Sequence, residues 1–255
     1  MQVKPQPIRI LGVIPARFAS TRFPGKPLAL IQGIPMIVRV LQQANQCQQL
    51  TEVIVATDDE RILSTVKDAG GKAILTRADH PSGTDRVIEV MEQFPDYDLY
   101  INIQGDEPFL NPEDIDKLIA PFILDNLFDI GTLVCRIYSA EKLTSPSVVK
   151  VVKNNENAAL YFSRHPIPYL RSENDPNKWL THFNYLQHIG VYLFKKQVLQ
   201  KIKSIPVSAL EKAESLEQLR WLEAGFKILT VEVEKVGLAI DTEEDWRKAN
   251  EGLLE

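Results

Sequence analysis

The sequence predicts an α/β protein whose doubly wound, mixed sheet carries a small antiparallel insertion. Three observations lead there. Short apolar strand patterns alternate with amphipathic helix patterns up to about Ile130, as parallel strands joined by crossover helices require. Beyond that point strand patterns follow one another without helices, the mark of antiparallel pairing. No linker, repeat or low-complexity run divides the 255 residues, so they read as one domain, 1–255, with roughly 135–200 as the insertion.

Each element follows from local pattern. Residues 8–14 are a short apolar run that Pro15 should end, as expected of a buried parallel strand. Met36, Ile37, Val40, Leu41 and Ala44 then recur at helical spacing. A strand over 52–57 leads to a helix starting at Thr57, with Glu60 in the capping-box position, that stops at Gly70-Gly71. Next come a strand over 72–76, a helix over 84–93 and a strand over 99–104. That strand ends in Gly105-Asp106-Glu107-Pro108, and another helix begins near Pro112. In the second part 148–152, 160–163 and 189–194 read as strands, and the Pro- and Asn-rich 164–185 as a long functional loop. One helix over 208–224, stopped by Gly225, a strand over 226–234 and a helix from Thr242 complete the chain.

Charge is distributed unevenly. The first 51 residues hold no acidic side chain, while Lys4, Arg9, Arg17, Arg22, Lys26 and Arg39 are basic, in a chain of net charge −5. This asymmetry predicts a cationic site for one polyanion within a body that repels nucleic acid and anionic lipid. Cys47 and Cys135 have neither metal-ligand spacing nor the look of a disulfide framework. The N-terminus lacks the apolar core of a signal peptide, and no segment approaches the ~20 apolar residues of a membrane span. The expectation is a soluble, cytoplasmic protein.

Three of the cations, Arg17, Arg22 and Lys26, fall in one loop after the first strand, with Ser20, Thr21 and Gly25. Guanidinium groups take phosphate oxygens bidentately, lysine adds a point charge, and glycine allows close backbone approach. The loop is a candidate triphosphate clamp, distinct from the Gly-x-x-x-x-Gly-Lys-Ser/Thr loop. In a doubly wound sheet ligands bind beyond the carboxyl ends of the strands, where Asp106 also falls. Facing a triphosphate, such a carboxylate can hold Mg²⁺; without the basic loop it would read as turn chemistry. Asp241, by its local sequence, reads as a helix cap. The segment 76–86 could read a nucleobase edge or simply open a helix. His188 reads as a satisfied core histidine, and Glu214, Glu217 and Gln218, at i, i+3 and i+4, as a solvated helix face.

Taken together, the runs IPARFASTRFPGKPL, IVATDD, TRADHPSGTDR, NIQGDEP, VVKVV, ALYFSR, HIGVY and LEQLR resemble the 3-deoxy-manno-octulosonate (Kdo) cytidylyltransferases of lipopolysaccharide assembly. The similarity extends from Ile10 to about Trp246. Sialic acid synthetases share the opening Pro-Ala-Arg but not its Ser-Thr-Arg-x-Pro-Gly-Lys continuation. The resemblance implies the nucleotide-diphospho-sugar transferase fold, a homodimer formed through the smaller subdomain, and CTP and Kdo as substrates. It further implies that Pro15, Ala16, Arg17, Ser20, Arg22 and Lys26 contact CTP, with Arg17, Arg22 and Lys26 on its phosphates and Arg77, Ser82 and Gln104 near cytosine and ribose. Asp106 and Asp241 would hold Mg²⁺. Arg164, His188, Tyr192, Glu217 and Gln218 would line the sugar-acid pocket. The rivals are the same transfer to amino-Kdo or a sialic acid, a metal-dependent glycosyltransferase of related fold, and a nucleotide sensor without turnover. A donor with only two phosphates would not need the Arg/Lys clamp.

Overall fold

The computed structural model describes residues 7–19, 23–124, 127–235, 237 and 239–252. Strand β1 (Ile10–Ala16) is followed by a 3-10 turn (Lys26–Leu28) and the hairpin β2 (Leu30–Ile31) and β3 (Ile34–Pro35). Then come α1 (Met36–Ala44), β4 (Glu52–Thr57), α2 (Glu60–Asp68), β5 (Lys72–Leu75), α3 (Gly83–Gln93), β6 (Leu99–Asn102) and α4 (Pro112–Ile123). The second part comprises β7 (Ile130–Arg136), α5 (Ala140–Thr144), β8 (Lys150–Lys153), β9 (Ala159–Ser163), α6 (Pro176–Trp179) and β10 (Leu186–Lys195). It ends with α7 (Lys196–Ile202), α8 (Ala209–Glu214), α9 (Glu217–Glu223), β11 (Ile228–Val233) and α10 (Glu243–Glu251).

Nine strands form one mixed sheet in the order β11-β7-β10-β6-β1-β4-β5, with β8 on the end of β10 and β9 on β8. Only β10 runs against its neighbours on the main path. The remaining pairs there are parallel, so β1, β4, β6 and β7 present their carboxyl ends on one side. Strand residues alternate between two cores, as period-2 geometry dictates. Ile10 and Ile14 pack with α1, α2 and α4, whereas Leu11 and Val13 pack with α3, α7 and α9. A smaller cluster of Ile137, Leu143, Trp179 and Tyr185 closes the arm beyond β7.

Several elements differ from the sequence expectation. Strand β1 continues through Pro15, because pairing with β6 stops at Val13 and the missing N–H faces no ladder there. The cap of α2 is Asp59, which accepts from Arg61 N, while Thr57 completes β4. Strand β7 lacks the alternation of a half-buried strand because it lies between β11 and β10 and is buried on both faces. Helices α5, α6 and α7 occupy segments expected to lack them, and β10 is central to the main sheet. The single helix expected over 208–224 breaks at Ser215, whose φ is 50°. The side chain of Arg164 takes up carbonyls at that break, donating to Glu214 O at 2.7 Å and Ser215 O at 3.2 Å. Among the described residues no helix is long and apolar enough to cross a membrane.

Candidate active site at the strand carboxyl ends

Beyond β1 the chain turns through Arg17 and Phe18 and returns at Gly25, whose N–H donates to Phe18 O at 3.1 Å. Gly25 has φ 71°, a conformation that disfavours a side chain, and a Cβ there would lie 3.2 Å from the Phe18 ring. Lys26 follows at the head of the 3-10 turn. Its Nζ lies 2.8 Å from Asp106 Oδ2 and 3.5 Å from Asp241 Oδ1. Three segments far apart in sequence thus converge on one point. Gly105 keeps the approach tight, since a Cβ there would stand 2.6 Å from Pro15 O. Ile240 N donates to Asp106 O at 2.9 Å and ties the Asp241 segment to the end of β6.

Asp241 is not the cap of the last helix. Thr242 caps α10 in a reciprocal box with Asp245, which leaves the Asp241 carboxylate directed at Lys26. Lys26 is the most buried of the three, with 13 % side-chain exposure against 30 % for Asp106 and 46 % for Asp241. Two partly open carboxylates already gathered around a cation fit Mg²⁺, which takes one or two protein carboxylates and completes its shell with water and phosphate oxygens. Among the described residues no cluster of three or more His, Cys, Asp or Glu offers an all-protein cage. Beside them Glu107 is buried, and burial, reinforced by Asp106, pushes its carboxyl up to about 8.

Of the other residues expected near the phosphates, Pro15 and Ala16 lie in β1 and Arg17 is half-buried just after it. Ser20, Thr21 and Arg22, like Lys4, lie outside the described residues. The described cations of the acid-free segment do not form one patch. Arg39 donates to Ile31 O at 2.7 Å, and Arg9 stacks over Tyr97.

Ser82 caps α3, accepting from Asp85 N at 3.1 Å. Gly83 abuts Asn102 and Pro15, so this helix start meets the same strand ends. The Gln104 amide donates to Gly190 O at the irregularity of β10. Arg77 is exposed and forks onto Asp79, with 2.9 Å and 3.2 Å bonds, and has no bond to Lys26, Asp106 or Asp241. Sequence reasoning passed over Arg86, although it stands in the quoted SGTDR run. Fully buried, it bonds to Thr76, and its Nη2 lies 3.7 Å from Asp58 Oδ2, while neither Nε nor Nη2 has a hydrogen-bond partner. Burial pushes its guanidinium below the usual range.

Of the residues expected around the sugar acid, His188 and Tyr192 lie on β10 and Glu217 and Gln218 on α9, while Arg164 directly follows β9. His188 lies in a recess, 3.0 Å from Thr132 Oγ1 and edge-on to Phe162. Burial lowers its pKa to about 3, so the ring is neutral. Tyr192 packs at 83° on Trp221, and burial raises its hydroxyl well above 10. Gln218 is 4 % exposed and its Nε2 has no partner. An unpaired buried donor costs ~1–3 kcal/mol unless a ligand or water meets it.

The solvated-face reading of this helix fails. Glu217 accepts from Ser82 at 3.0 Å, Thr84 at 2.8 Å and Arg220 at 2.8 Å, and burial raises its carboxyl despite those bonds. It fastens α9 to the start of α3. Glu214 lies on the preceding helix and accepts from Ser163 at 2.6 Å and Arg164 N at 2.9 Å. The guanidinium of Arg164 already serves three carbonyls, those of Pro146, Glu214 and Ser215. Buried Lys150, which sequence reasoning also missed, donates to Ser145 O, Val148 O and Arg164 O and so holds Arg164 from below. No periodicity signals such a lysine, because its partners are main-chain carbonyls.

A family model described as cytidylyltransferase matches residues 11–228. The 3-deoxy-manno-octulosonate cytidylyltransferase of Cytophaga hutchinsonii is 46 % identical over 239 residues, covering 93 % of this chain and 95 % of the relative. The Escherichia coli protein of the same name is 48 % identical, covering 90 % of each chain. The solved structure of CMP:2-keto-3-deoxy-manno-octonic acid synthetase complexed with CTP superimposes with a TM-score of 0.90 at 45 % identity, covering 96 % of this chain and 98 % of that one.

Proposed function

The chain belongs to the cytidylyltransferase family, among the 3-deoxy-manno-octulosonate cytidylyltransferases, and on that premise we propose that it transfers the cytidylyl group of CTP to the anomeric hydroxyl of Kdo. The hydroxyl gives up its proton to solvent as its oxygen forms a bond to the α-phosphorus, the bond from that phosphorus to the bridging oxygen of the β-phosphate breaks, and pyrophosphate leaves. No protein nucleophile is required, because positioning and charge neutralisation dominate transfer at phosphorus. The observation that carries the reading is the convergence of Lys26, Asp106 and Asp241 at strand ends shared with the α9 recess.

Lys26 and Arg17 hold the phosphates and offset charge as it grows on the leaving oxygen. Gln218 Nε2 donates to the sugar acid, and neutral His188 serves as a hydrogen-bond partner rather than a base. Glu217, saturated by Ser82, Thr84 and Arg220, positions the acid-binding helix against the nucleotide side. Mg²⁺ held by Asp106 and Asp241 would supply a Lewis acid that lowers the pKa of the sugar hydroxyl. The exposed Tyr138, Leu160, Tyr169 and Phe183 support a homodimer contact through the arm within 135–200, and a cytoplasmic setting suits soluble substrates. Pyrophosphate release measured for each NTP against a panel of sugar acids tests the reading. Turnover confined to CTP with Kdo is expected, and faster turnover with amino-Kdo or a sialic acid would reassign the acceptor.

A further inference from the structure

We infer that Lys26 is a resident cation of the two-carboxylate site in the substrate-free protein, so that a divalent ion binds there only together with the nucleotide. The inference rests on the cytidylyltransfer reading and concerns how the site is loaded. Lys26 Nζ lies against Asp106 Oδ2 at 2.8 Å and Asp241 Oδ1 at 3.5 Å, one oxygen of each carboxylate that would hold a divalent ion. A divalent ion bonding both carboxylates directly would occupy the space that Nζ holds, and two cations at that separation repel strongly.

Lys26 cannot withdraw by moving its backbone. Leu28 N donates to Gly25 O at 2.9 Å, Ala29 N to Lys26 O at 3.1 Å, and Lys26 N to Phe23 O at 3.2 Å, which fixes the turn. Only the side-chain torsions are free to carry Nζ elsewhere. Leaving the carboxylates without a new anion would strip Nζ of both ion-pair contacts beyond a strand end that Arg17 also follows. A triphosphate supplies that anion. Nucleotide binding draws Lys26 away and opens the carboxylates, so metal and nucleotide affinities rise together, by equal factors as linkage demands.

The test uses Mn²⁺ as the probe, with free Mn²⁺ followed by its EPR signal on the full chain without Kdo, so that no turnover occurs. For the natural protein we expect CTP to tighten Mn²⁺ binding beyond its affinity for CTP alone in solution, by at least about tenfold. Lys26→Met should bind Mn²⁺ without nucleotide at least about tenfold more tightly than the natural protein. Lys26→Arg, which keeps the charge, should not. Adding Asp106→Asn to Lys26→Met should abolish the gain and so locate it. Equal Mn²⁺ affinity for the natural protein with and without CTP overturns the inference without recourse to any variant. So does a folded Lys26→Met that gains nothing. Absence of pyrophosphate release with Kdo, alongside intact Mn²⁺–CTP linkage, would instead sink the acceptor assignment and leave the lysine exchange standing.

Discussion

Asp241 and Thr242 are adjacent and separable. Thr242 caps α10, whereas Asp241 faces Lys26, so their substitutions should diverge. Asp241→Asn is expected to lower kcat by at least ~10²-fold with little change in Tm, the scale of a lost electrostatic stabiliser. Thr242→Ala should cost about 1 kcal/mol of stability, read in a melt, and leave kcat within a few-fold. At Gln218, alanine should raise KM for Kdo about tenfold, one hydrogen bond's worth, while calorimetry with CTP alone stays unchanged. Loss of CTP affinity instead would place α9 on the nucleotide side. His188 carries a pH signature, because its pKa falls from 6.5 to about 3 on folding. The unfolded chain therefore binds the extra proton between those values, and stability is lost as pH falls through that window, by about 2 kcal/mol at pH 5. His188→Gln should lose less stability between pH 7 and 5, and the natural ring should remain neutral by NMR at pH 5.

Elements meet at the site through a few close approaches, and the ends of β6 and β1 make the closest. A Cβ at Gly105 would lie 2.6 Å from Pro15 O, so Gly105→Ala must push the two ends apart and carry Asp106 from Lys26. The expected result is a fall in kcat of more than about tenfold, beyond any effect on Tm, since small misplacements of reacting groups are costly. Unchanged kcat would mean that the turn relaxes without moving Asp106. The kink between α8 and α9 is a second such approach. Local pattern read one continuous helix there, because the side chains of 208–224 favour helix throughout. Arg164, fifty residues earlier, supplies donors at the break, and propensity has no term for it.

For the whole molecule, the acid-free first segment predicted a cationic site, and its described cations do not all gather in one place. Lys26 lies between Asp106 and Asp241, whereas Arg39 is tied to Ile31 O. Lys26→Ala should therefore weaken CTP binding and slow turnover, and Arg39→Ala, whose guanidinium is tied to a main-chain carbonyl, should change neither by more than about twofold at physiological salt. Equal losses from both would indicate a diffuse field in place of a defined site.

The sequence by itself determined the alternation of parallel strands and crossover helices, the turn beyond β1 and the position of Asp106 at a strand end. These are local: hydrophobic period, glycine and proline punctuation, and a carboxylate one turn beyond an apolar run. Family resemblance alone proposed Glu217 and Gln218 for an acid pocket, where spacing read a solvated face, and His188, where the local pattern read a core histidine. Tertiary structure alone showed that Asp241 is not the cap, because its local sequence suits a cap and only the Thr242–Asp245 box and the approach of Lys26 reveal otherwise. It alone revealed that Glu217 accepts from the start of α3, that Lys150 braces Arg164, and that Arg86 is fully buried. Each of these depends on partners tens of residues away, and contacts of that range are set by packing, which no window along the chain contains.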